Sequence, residues 1–165
     1  MVVVYAYWVG FSITCAFIAV SLTLYISPYA AGSGVPEVMG LLNGVNISGV
    51  TDMSCLFVKT IACVIAVVSN LCIGKEGPLV HIGSICGSMM PYIPFECFAC
   101  FRNDVDRRTF ISAGSSAGVS AAFGAPIGGA LFTYEISKPN TFWTFSMLWR
   151  VFFTSAMSTF TLGFL

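Results

Sequence analysis

Charge is what this sequence has least of. Asp, Glu, Lys and Arg make up 8% of 165 residues, about a third of the roughly 25% usual in soluble domains. No charged side chain occurs from Met1 through Pro36, from Thr109 through Tyr134 or from Val151 through Leu165. These stretches cannot clothe a soluble surface, and they are long enough for several bilayer crossings of roughly 20 residues each. Net charge is zero, with seven basic and seven acidic residues, which argues against a nucleic-acid partner. Histidine occurs once, and the single CxxC, Cys97 with Cys100, has no second pair, so zinc and other cofactors are not expected. Cys15, Cys63, Cys72 and Cys86 lie in apolar runs, where cysteine behaves as a small hydrophobe. The N-terminal stretch lacks the basic region and cleavage pattern of a signal peptide and reads as a retained helix. Soluble domains, linkers and low-complexity tracts are likewise missing.

What is present is a series of hydrophobic segments of unequal length. Residues 8–27 can span a membrane, and "SPYAAGSGVP" ends that segment with proline and glycine. "PEVMGLLNG" is too short to cross. The next run, about Met53 to Ile73, carries Lys59 near its start, and "LVHIGSICGSMMPYI" closes at Pro91 and Pro94. "PFECFACFRNDVDRR" reads as a polar loop that faces the cytosol, because Arg102, Arg107 and Arg108 obey the positive-inside rule. After it, small residues recur every four positions at Ala113, Ala117 and Ala121 and at Gly114 and Gly118. Gly83 with Gly87 and Gly124 with Gly128 share that spacing, which predicts close helix packing in lipid. "GAPIGGALFTYEI" is short again, and a final long segment carries Trp143 and Trp149 near its beginning, as in an interfacial belt.

One device is written three times: Gly34-Val35-Pro36, Glu76-Gly77-Pro78 and Gly124-Ala125-Pro126. Each predicts a helix start, since proline lacks only an N–H that has no partner in a first turn. Two of the segments are too short to span, so such starts belong at membrane depth, as in broken transporter helices. A helix N-terminus presents free N–H groups and about half a positive charge, and several converging on one cavity would favour an anion. Ser33 adds a hydroxyl donor that carries no charge. Glu76 places a carboxylate at such a start, where it can occupy the anion's place and leave when protonated. A local salt bridge between Lys75 and Glu76 is the weaker reading, because neighbours at a helix start diverge.

"GSGVPE" at 32–37, "GKEGP" at 74–78 and "AAFGAPIGGALF" at 121–132 together resemble the CLC family of chloride channels and chloride/proton exchangers. The resemblance covers nearly the whole chain. It implies an all-α integral membrane fold of tilted and broken helices, with residues 1–165 forming most of the first inverted repeat. The second half and the cytosolic CBS domains of eukaryotic relatives are absent from it. By the family's pattern Ser33 would be the central chloride ligand, with Gly34, Val35, Pro36 and Gly77 completing the anion site. Glu76 would be the gating glutamate, supported by Gly32, Gly74, Lys75 and Pro78. Serine at position 33, where nitrate-selective relatives have proline, suggests chloride. The resemblance also implies a homodimer in the lipid bilayer, with the helices near 124–135 and 142–160 facing the second subunit. It leaves the plasma membrane and the endosomal or lysosomal membrane equally open.

Exchangers of this family end the short helix after "GAP" in two consecutive glutamates, the second of which transfers protons. Here Glu135 is followed by Ile136, which cannot hold a proton, and this favours a voltage-gated chloride channel over an antiporter. Against that, "GSGVPEVMGLLNG" and "RVFFTSAMSTFTL" look more like the intracellular exchanger branch. A distant alternative makes Ser33 a nucleophile and His81 its base, as in an intramembrane serine hydrolase. His81 otherwise reads as a packed, hydrogen-bonded helix residue, and Glu135 as structural. Asn46-Ile47-Ser48 is a glycosylation sequon that the topology puts on the cytosolic side. Asn46 should therefore remain unmodified in cells, and a glycosidase-sensitive shift on a gel that vanishes in Asn46→Gln would overturn this topology.

Overall fold

The computed structural model describes residues 1–94, 100–137 and 143–165, so Cys97 of the CxxC pair lies outside the described residues. Besides two short 3-10 turns, the regular structure there is seven α-helices: α1 (Val2–Tyr25), α2 (Val35–Leu42), α3 (Met53–Val68), α4 (Glu76–Met89), α5 (Asp104–Phe123), α6 (Pro126–Ser137) and α7 (Phe145–Phe164). Only α1, with 24 residues and mean hydropathy 1.9, is both long and apolar enough to cross a membrane by those criteria. The 8-residue α2 and the 12-residue α6 are the short segments expected after their prolines.

Several boundaries differ from the sequence reading, and α1 runs over Val2–Tyr25 rather than residues 8–27. The run from Met53 breaks at Val68 rather than Ile73, because the Ser69 hydroxyl turns back to the Ala66 carbonyl at 2.8 Å and Asn70 adopts φ 56°. That left-handed residue cannot continue the helix. In the other direction α5 begins at Asp104, so Arg107 and Arg108 are helical rather than part of a loop. Asp104 and Asp106 sit in its first turn, where negative charge complements the helix dipole. Arg107 donates from Nη2 to Thr51 Oγ1 at 3.0 Å, and Arg108 packs beside Gly44. Asn46 lines a small cavity with these two arginines, so the sequon and the basic cluster share one side of the molecule.

The centre of the fold is the crossing of α4 and α5. A Cβ on Gly83 would strike the Gly114 carbonyl, one on Gly87 the Phe110 carbonyl, and one on Gly118 the Leu79 carbonyl. Backbones this close gain dispersion contacts that side chains would prevent, and lipid offers no hydrophobic effect to replace them. The predicted packing of Gly83, Gly87, Gly114 and Gly118 thus holds. Gly124 and Gly128 behave otherwise. Gly124 ends α5 in the left-handed region with open space around it, and Gly128 meets only Ala125. Gly129, one residue on, makes the close contact instead, against Ser120 and the Ser116 carbonyl. A tight turn between α5 and α6 shifts the contact register by that one position.

Hydroxyls close the seam between α5 and α7. Ser116 reaches the Val151 carbonyl at 3.5 Å, Ser158 the Ala117 carbonyl at 2.9 Å, and the Ser120 hydroxyl lies 2.7 Å from both Ser116 O and Ser155 Oγ. Ser155 in turn donates to the Pro126 carbonyl, which seats the start of α6. Ser112, Ser115, Ser116, Ser120 and Ser155 are all fully buried, and each has a bond that satisfies it. Gly114→Val is expected to cost about 3 kcal/mol or more by overpacking, measured as lost monodisperse protein and lowered Tm in detergent. Gly10→Ala, which meets open space, should be neutral or slightly stabilising.

Candidate functional site

Two of the three glycine-proline starts meet. Gly34 caps α2 at φ 81°, and α2 opens with Val35 and Pro36, the Val38 N–H bonding the Gly34 carbonyl at 3.0 Å. α4 opens at Glu76, so Pro78 is its third residue rather than its first, still within the turn whose N–H groups have no helical partner. A Cβ on Gly77 would fall 2.7 Å from the Ser33 Cβ, so the first turn of α4 rests directly on Ser33. The Val35 N–H points at Ser33 Oγ across 3.4 Å. Ser33 itself is exposed, flanked by Gly32 and Gly34, both in the left-handed region that a Cβ would disfavour.

The pair in "GKEGP" divides as its geometry requires. Lys75 caps α4 and is exposed, while Glu76 is half-buried, its Oε2 lying 2.7 Å from where a Gly74 Cβ would be. The carboxylate has folded back over Gly74, across the end of its own helix. Among the described residues no ion pair joins Lys75 to Glu76. Gly32, Ser33, Gly74, Glu76, Gly77 and Pro78 line one end of a cavity of about 750 Å³ whose walls come from α1 and α3. The third start does not converge on it. Pro126 at the head of α6 is held between α5 and α7 by Ser155 and Gly129, so its role here is to pack.

His81 stands at the back of this site. It is fully buried, and its ring fills the space a Cβ of Gly34 would need, so α4 is pressed against the cap of α2. Nε2 lies 3.0 Å from the Val50 carbonyl and Nδ1 2.7 Å from Lys59 Nζ. A carbonyl only accepts, so Nε2 carries the ring proton and Nδ1 accepts from the lysine. Both nitrogens are therefore engaged, and His81 has none to offer Ser33 as a base. It is the packed, bonded residue the sequence suggested. Lys59, 2% exposed on α3, was noted in the sequence only for its place in the run. A lone cation in an apolar helix was the available signal, because ionisable groups there are costly to bury.

The position after Glu135 has its own surroundings. Ile136 is 4% exposed and packs with Val38, Leu42 and Ile111, whereas Glu135 faces outward on α6. The cluster contains no titratable group. Both helices also bury polar atoms, Glu37 Oε2 on α2 and Thr133 Oγ1 and Ser137 Oγ on α6.

Known proteins resemble this sequence. The pattern of the family described as "Voltage gated chloride channel" matches residues 15–165. The H(+)/Cl(-) exchange transporter 7 of Homo sapiens is 42% identical over 162 residues, 93% of this chain and 20% of that protein. The H(+)/Cl(-) exchange transporter 5 of Homo sapiens is 44% identical over 162 residues, 98% of this chain and 19% of that protein. The bovine H(+)/Cl(-) exchange transporter 7 is 40% identical over 164 residues. The chain spans about a fifth of the length of these relatives. With the Ser33–Gly77 contact, the folded-back Glu76 and a match across nearly its full length, this chain belongs to the voltage-gated chloride channel family, the CLC proteins.

Proposed function

We propose that the full-length protein containing this chain is a membrane transporter, not an enzyme, that exchanges chloride for protons. The observation that carries the reading is the meeting of two helix starts at Ser33 and Gly77 with the Glu76 carboxylate beside them. Each start contributes about half a positive charge spread over N–H groups, enough to hold chloride after it sheds water but not to trap it. Ser33 adds a neutral donor. Glu76 competes for the same field while ionised and loses that competition when protonated, which ties chloride occupancy to a proton. The 40–44% identical relatives named as H(+)/Cl(-) exchange transporters support exchange over the passive channel that Ile136 suggested. Tilted helices in a bilayer, further anion ligands from a second half and a homodimer complete the proposal.

A second reading rests on Ile136. Its side chain offers an entering proton no acceptor and packs with Val38, Leu42 and Ile111, which favours chloride movement with little or no coupling.

The measurement that decides is proton flux in liposomes containing the full-length protein. Exchange requires a chloride gradient to drive protons uphill, and chloride flux without proton movement selects the second reading. In that second case Ile136→Glu should increase proton movement, at a stability cost of about 3 kcal/mol for a carboxylate among apolar neighbours. Separately, gating by one carboxylate changes flux by up to about tenfold per pH unit, and Glu76→Gln should reduce this to less than about twofold. An unchanged response to external pH in Glu76→Gln would remove Glu76 from the gate.

A further inference from the structure

Lys59 is the one basic side chain among the described residues lining the cavity that Ser33 and Glu76 share. Burying an ammonium is expensive, and an apolar residue of similar volume would pack without that cost. Lys59 is nonetheless 2% exposed, and its one hydrogen bond goes to a neutral imidazole rather than to a carboxylate. Among the described residues it has no ion pair. Glu37, in the first turn of α2, lies within electrostatic reach of both Lys59 and His81, yet its buried Oε2 has no hydrogen-bond partner. His81 and Glu37 stand outside the cavity lining, and Lys59 stands in it.

We propose that Lys59 is the fixed positive charge of the anion site, and that His81 is the positioning residue that holds it back from the ion. The inference rests on the chloride reading above. The Val50 carbonyl sets the tautomer of His81, the unprotonated Nδ1 then orients the ammonium, and the ring's seat on Gly34 registers both to the helix start beside Ser33. Helix ends alone supply partial charges that weaken within a turn, whereas a full charge acts through several ångströms of low-dielectric protein. Direct coordination by lysine would bind chloride too tightly for turnover. An ammonium tethered to His81 raises affinity without becoming a ligand.

The test is the chloride dependence of flux in liposomes carrying full-length Lys59→Gln, which keeps a donor for His81 and removes the charge. Half-saturating chloride should rise about tenfold while the maximal rate stays within about threefold, a split that a purely structural loss would not produce. Unchanged half-saturation, or a fall in maximal rate alone, overturns the proposal. Should Lys59→Gln fail to give a monodisperse protein, Lys59→Met is read by the same criterion. If the wild-type protein carries no chloride, the functional reading fails and this inference with it. Wild-type flux with normal half-saturation in Lys59→Gln overturns this inference alone.

Discussion

α4 is held by close contacts at glycines that leave no room for a Cβ. At one end Gly77 lies on Ser33, further along His81 fills the space over Gly34, and beyond that Gly83 and Gly87 lie on the backbone of α5. Displacing any of these would move Glu76, which is the first residue of the helix. Because the three contacts lie on one rigid element, the spacing between the starts of α2 and α4 is set by packing as much as by the residues at those starts.

The same economy governs polar groups. A chain with so little charge still has to satisfy hydroxyls, caps and carbonyls away from water. It does so in two ways. Along α5 and α7, serines bond across the seam and close it, so their polarity is consumed by structure. At the starts of α2 and α4, Ser33 and the first-turn N–H groups face a cavity instead. Polarity left unspent beside a cavity is what separates a binding site from a well-packed core. Lys59 lies between these cases, tied to His81 on one side and facing the cavity on the other.

Much of this was legible in the residues. Proline after glycine signals a helix start wherever it occurs, and all three starts are present. Their destinations were not legible. Gly124-Ala125-Pro126 has the same local grammar as the other two, but Ser155, a residue far along the chain, receives it. The spacing of Gly83, Gly87, Gly114 and Gly118 identified a true crossing, while the same spacing at Gly124 and Gly128 did not, since a turn and not a partner helix follows Gly124. Ile136 illustrates the reverse. Its inability to hold a proton was plain from its side chain, and its apolar surroundings from Val38, Leu42 and Ile111 required the fold.

By itself the sequence determined the all-helical character, the breaks at glycine and proline, and the residue types able to bind an anion without a metal. These follow from local chemistry: hydrocarbon length, a missing N–H, a neutral hydroxyl, a carboxylate in an apolar run. Tertiary structure alone decided which starts meet, that Glu76 turns inward while Lys75 turns out, and that Lys59 and His81 stand behind Ser33. Those outcomes depend on contacts between residues far apart in the chain, such as Lys59 with His81 and Val50 with His81. No local pattern encodes them, because each is fixed by where a neighbouring backbone leaves space.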